Sequence, residues 1–160
     1  MYKINDYVVY KHDVCKIKKI KTDDKTGQTY YVMTPIDDDS LIITIPTDIK
    51  TGLRDIISKK EAEKLIQEVK DIEPLENIND KDISFEYKEL LNKGTHTDLI
   101  KIIKTSYIRN ANRINNKKKI SEKDDTYFNL AEKYLYNELS ISLDKSTDEI
   151  IKYITEIVNE

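Results

Sequence analysis

The apolar positions of this chain change their period near residue 58. Before it, short β-branched and aromatic runs are separated by turn residues. "YVVY" (7–10), "VCKIKKI" (14–20), "TYYVMT" (29–34) and "LIITI" (41–45) read as strands, and "LRDII" (53–57) as a fifth. "TDDKTG" (22–27) and "PIDDDS" (35–40) place Asp, Gly and Pro where the chain must reverse. Short antiparallel strands of this kind cannot bury two faces of a flat sheet, so a small curled sheet or barrel is expected.

After residue 58 the spacing becomes helical. "SKKEAEKLIQEVKD" opens with capping-box spacing at Ser58 and Glu61. "DIEPLENINDKD" (71–82) is acidic, holds a proline and reads as linker. Four further helices are predicted over 84–93, 97–114, 121–141 and 146–158, the last three with Thr97, Ser121 and Ser146 as N-caps. Their apolar stripes run through Leu99, Ile103, Tyr107, Ala111 and Ile114; Phe128, Ala131, Leu135 and Leu139; and Ile150, Ile154, Ile157 and Val158. The expected class is α+β: a β-module at 1–57, a connecting helix and linker at 58–82, and an all-helical bundle at 83–160.

With 38% hydrophobic and 36% charged residues the composition is polar, but its periodicity argues for a folded chain. No run approaches the ~20 apolar residues that span a bilayer. "MYKINDYVVYKHD" has no apolar stretch ahead of its charges, so no membrane partner and a cytoplasmic location are expected. The net charge of −3 conceals an asymmetry: residues 99–121 carry 7 basic side chains and no acidic one, while residues 122–160 carry 4 basic and 10 acidic. The basic block is Lys101, Lys104, Arg109, Arg113, Lys117, Lys118 and Lys119. On a helical wheel the first four lie opposite the apolar stripe and are predicted to face solvent; the last three fall in the loop "NNKKK". Such a surface can contact a phosphate backbone, where each cation displaces a condensed counterion without reading sequence. The alternative is a solvated helix end that suits the helix dipole.

Chemistry-bearing residues are few. His12, Asp13 and Cys15 sit together, but as a hairpin turn and the start of a strand, where a cysteine serves as a small apolar filler. Asp37, Asp38 and Asp39 lack the alternating ligands and closing Glu of a calcium loop. His96 reads as loop. Three glycines in total supply no phosphate cradle, and no hydrolase or zinc motif occurs. A binding protein without enzymatic activity, cofactor or metal is expected.

Taken in order, the fragments resemble the CarD/CdnL family of bacterial RNA polymerase-binding transcription regulators, whose N-terminal module is shared with transcription-repair coupling factor. The resemblance covers nearly the whole chain. In "YKINDYVVYKHDVCKI", Asp6, Val8, Val9, Tyr10, His12 and Ile17 match the family opening; Asn5, Asp13 and Cys15 replace its glycines and Lys11 its proline. "YYVM" followed by "LIITIP" is similar to the next hairpin, "TGLRDII" to "GVRDVV", and "ISEKDDTYFNLAEKYLYNELS" to a helix of the family's second domain. "ISFEYK" stands where relatives have "W-S-x-x-Y-K", with Ile83 in place of the tryptophan and Lys88 retained.

The resemblance implies a Tudor-like antiparallel β-barrel that docks on the polymerase β subunit through an edge strand, here Ile42, Ile43 and Thr44. Relatives often carry a basic residue where Thr44 stands. It implies a helical domain that contacts promoter DNA at the upstream edge of the bubble, through Ile83, Phe85, Lys88 and the basic block at 101–119. A monomer within the complex, located with polymerase on the nucleoid, follows. The rival expectation is a polymerase-bound adaptor whose helical domain binds protein instead of DNA.

Overall fold

The computed structural model describes residues 1–159. The chain divides into two compact units, one over residues 1–58 and one from Lys59 onward.

The first unit is a five-stranded antiparallel sheet: β1 (Tyr7–Tyr10), β2 (Asp13–Thr22), β3 (Thr29–Pro35), β4 (Ile43–Pro46) and β5 (Leu53–Asp55). Their spatial order is β4-β3-β2-β1-β5. The predicted barrel is not closed. β4 and β5 form opposite edges, and strands of four and three residues leave little ladder with which to close one. Leu41 and Ile42 precede β4, because Leu41 N donates back to Asp38 O at 3.3 Å and keeps the chain in a turn. β5 likewise stops at Asp55, two residues short of the expected end.

One face of the sheet carries the core of this unit. Ile17, Met33 and Ile43 are cross-strand neighbours, as are Ile20, Tyr31 and Ile45. A bulge between Ile17 and Lys19 makes this possible. Residues three apart on a regular strand face opposite sides; one extra residue returns Ile20 to the side of Ile17. The β1–β2 turn has only two central residues, Lys11 (φ 47°) and His12 (φ 77°), both left-handed. A type I′ turn requires that conformation, which matches strand twist even without glycine.

The second unit comprises α1 (Lys59–Glu68), a 3-10 turn (Val69–Asp71), α2 (Ile83–Lys93), α3 (His96–Asn115), α4 (Glu122–Leu143) and α5 (Thr147–Val158). α2 buries Ile83, Tyr87 and Leu90, a stripe at i, i+4 and i+7. It ends at Gly94, whose φ of 66° and N–H to Leu90 O at 2.9 Å close the helix where a side chain would be strained. α4 supplies Ala131, Leu135 and Leu139 to the core, and α5 supplies Ile150 and Ile157. Ser121 and Ser146 cap α4 and α5 as predicted. α3 begins two residues earlier than expected. Its cap is Thr95, paired reciprocally with Asp98, and His96 lies inside the helix.

Thr95→Ala is therefore expected to lower unfolding stability by about 1 kcal/mol. Thr97→Ala should change it by no more than a few tenths. Urea denaturation of the two variants checks the assignment.

Candidate functional site

In the β-unit, β4 is an edge strand hydrogen-bonded to β3 in the register Tyr30–Pro46, Tyr31–Ile45, Val32–Thr44 and Met33–Ile43. Alternation sends Ile43 and Ile45 toward the core and leaves Thr44 exposed. An edge strand presents backbone donors and acceptors that a further strand can take up. Ile42 is exposed at 67% but stands outside the strand. Of the three residues expected to meet a partner strand, two lie in β4.

The helical unit corrects the reading of the basic block. Lys104, Arg109 and Arg113 were predicted to face solvent and instead turn inward. Lys104 Nζ donates to the carbonyls of Val69 and Ile72. Thr105, one position on, accepts from Leu75 N at 2.9 Å. Arg109 donates to Ile78 O at 3.0 Å and pairs with Asp80, and Arg113 reaches the same Asp80 carboxylate at 3.2 Å. The 3-10 turn and most of the segment 71–82, read as a linker, are thus strapped along α3 by successive polar side chains. The physical reason is backbone satisfaction. An irregular segment forms few backbone hydrogen bonds of its own, and long cationic side chains supply further donors to its carbonyls.

The same two arginines close on Asp124. Its side chain is 0% exposed. Arg109 Nε donates to both carboxylate oxygens at 3.2 Å, Arg113 Nη1 donates to Oδ2 at 2.6 Å, and Tyr87 Oη donates to Oδ1 at 2.5 Å. Three helices therefore meet at one carboxylate. Burial first, and then the hydrogen bond and charge of Asp124, push the Tyr87 hydroxyl pKa upward, so Tyr87 remains a donor. Burial opposes the Arg109 charge, but Asp124 and Asp80 outweigh it and raise its pKa. Asp80 is held below the usual carboxylate range by the Arg109 hydrogen bond and charge, with Arg113 adding to both. Lys104 moves downward through burial, against the pull of Glu73 and Asp71. Asp124, Asp80 and Tyr87 were missed as a set. The one available signal was the Ser121–Asp124 spacing. Ser121 does accept from Asp124 N at 3.4 Å, while the Asp124 carboxylate is spent on the arginines.

The other expected DNA contacts are dispersed. Ile83 is 1% exposed and belongs to the core, so it is not a wedge. Phe85 is 63% exposed, and Lys88 shares its exposed face of α2. Lys101 is half-buried on α3. Lys117, Lys118 and Lys119 are exposed in the α3–α4 loop. Asp125, one residue beyond the buried carboxylate, is exposed.

Cys15 is buried in the sheet and donates to Asp13 O at 3.7 Å. Burial, then Asp13 and Asp37, push its thiol up to about 12, so it is neither a thiolate nucleophile nor an accessible one. His96, which the sequence placed in a loop, pairs through Nε2 with Oε1 of the buried Glu138 at 2.9 Å. That contact ties the start of α3 to α4.

Among the described residues no helix is long and apolar enough to cross a membrane. Compared with models of known protein families and with curated proteins, the chain matches none.

Asp124→Ala leaves two largely buried guanidinium groups without their shared anion and is expected to cost about 3–5 kcal/mol. Lys118→Ala should cost less than about 0.5 kcal/mol. Chemical denaturation compares them. Because the folded-state pKa of Asp80 is depressed, the stability it contributes is fully present above its unfolded value near ~3.9 and is lost as pH falls through the lower folded value. Asp80→Asn should flatten that acid limb in melts taken across the range. A thiol reagent at pH 8 should leave Cys15 unmodified in the native chain and label it fully in denaturant.

Proposed function

We propose that this chain is a non-enzymatic transcription regulator of the CarD/CdnL kind, docking on the RNA polymerase β subunit by strand addition to β4. On this reading the open five-stranded sheet is a variant of the family's Tudor-like barrel. The observation that carries the proposal is β4 at the sheet edge with Thr44 outward, in a chain whose fragments follow the family order. Strand addition draws affinity from main-chain hydrogen bonds and specificity from alternate side chains.

The DNA arm is narrower than the basic block suggested. Phe85, exposed on the first turn of α2, takes the place of the family tryptophan as an apolar wedge, with Lys88 one turn further along the same face. Lys117, Lys118 and Lys119 meet phosphates. The adaptor reading is favoured by a specific observation: Ile83 is in the core, and Lys104, Arg109 and Arg113 are engaged internally.

The test uses the full chain, retained on immobilised core polymerase. Thr44→Glu reverses the charge that relatives place at this position and should weaken retention about tenfold; Thr44→Arg should strengthen it. Equal retention of all three proteins, or none by any, would refute docking through β4. On polymerase with a forked promoter, the DNA reading predicts that Phe85→Ala and a triple Lys117–Lys119→Glu variant shorten open-complex lifetime. The adaptor reading predicts no change.

A further inference from the structure

α3 is amphipathic in an unusual sense. Its first turns bury Leu99, Ile100 and Ile102, but beyond them the inward face carries Thr105, Ser106, Arg109 and Arg113, whereas Tyr107 (64%), Ile108 and Ile114 (61%) are exposed. Of the apolar stripe read from the sequence, Leu99 lies in the core, while Ile103, Tyr107, Ala111 and Ile114 line an open trough. Two hollows, of about 490 and 430 Å³, adjoin along it and share Tyr107 and Phe128. The first lies among α3, α4 and α5; the second lies between α3 and α4 beside Ile120. Together they follow Ile100, Ile103, Tyr107, Ala111 and Ile114, whose spacings of three and four keep them on one face of the helix. At 1.5 Å per residue the seam is roughly 21 Å long, the length of a helix of about 14 residues.

The α4 flank of the trough carries the carboxylates. Glu132 lines the first hollow and Asp125 the second, seven residues apart and thus on one side of α4. Burial raises the Glu132 pKa, opposed by a hydrogen bond from Tyr136. The cation lining the same hollow, Lys104, is engaged by the Val69 and Ile72 carbonyls.

We infer that this trough receives an amphipathic helix of a protein partner, with an apolar seam at i, i+3 and i+7 and two Lys or Arg residues seven apart that meet Glu132 and Asp125. Helix-in-groove docking uses this spacing. Flanking carboxylates select a basic occupant over an acidic one and over a second copy of the acidic α4. The inference is independent of docking through β4, and it stands with either reading of the helical unit.

The experiment titrates the full chain with two labelled synthetic helices of about 16 residues. Both carry leucine along the seam; one has Lys and the other Glu at the two flanking positions. Fluorescence anisotropy should show saturable binding of the Lys peptide, weakened about tenfold or more for the Glu peptide. The Glu132→Gln, Asp125→Asn double variant should bring the two peptides together. Ile114→Glu, at an exposed position that leaves the circular dichroism melt unchanged, should abolish binding. Equal affinity for both peptides would overturn the inference, because apolar adhesion alone would explain it. So would the absence of binding by either. Concentration-dependent dimerisation lost in Ile114→Glu, or uptake onto anionic lipid vesicles, would assign the trough to a second copy or to a membrane surface and would equally overturn it.

Discussion

The helical unit depends on one buried carboxylate. Asp124 lies at the start of α4, accepts from Tyr87 on α2 and holds Arg109 and Arg113 on α3. A lone buried carboxylate is costly, and so is a lone buried guanidinium; each is tolerable here only because the others are present. The arginines, once fixed, extend their remaining donors to Ile78 and Asp80. A stretch with no regular secondary structure is thereby ordered, and Lys104 and Thr105 continue the strap toward Val69 and Leu75. Removing the anion would release both the helix contacts and the strap.

This arrangement explains which parts of the structure were legible in the sequence. Strands came through because period-two alternation and turn chemistry are local, and four of the five began within one residue of expectation. The exception, β4, starts two residues late because a turn hydrogen bond from Leu41 delays it. Caps came through at Ser121 and Ser146, each with an acidic residue three positions on. At α3 two threonines competed, and Thr95 prevailed because Asp98 can reciprocate. The face of α3 was not legible. A helical wheel places cations outward by default, and what reverses that default here is a carboxylate on another helix and carbonyls on a distant segment. Neither leaves a local signal. Ile83 was misplaced for a related reason: its match to the family tryptophan concealed a core stripe with Tyr87 and Leu90.

The reversal also redistributes charge over the surface. A block of seven basic residues reduces to Lys117–Lys119 and a half-buried Lys101 as cations facing outward, so the electropositive surface is a loop rather than a helix face. Beyond Ile102 the apolar residues of α3, Tyr107 and Ile114 among them, lie at the surface. The β-unit is built on a different principle: one core face, a bulge that keeps Ile20 on it, and an edge strand at β4. Each unit thus carries its own candidate surface.

The most direct test of the central interaction is a double-mutant cycle between Arg113→Met and Asp124→Leu, read by unfolding free energy in urea. Coupling of about 1 kcal/mol or more, with the double variant more stable than the sum of the single losses predicts, is expected for a buried pair in contact. Additive losses would contradict the account. They would mean that Asp124 and Arg113 stabilise the unit separately and that the inward turn of α3 rests on something else.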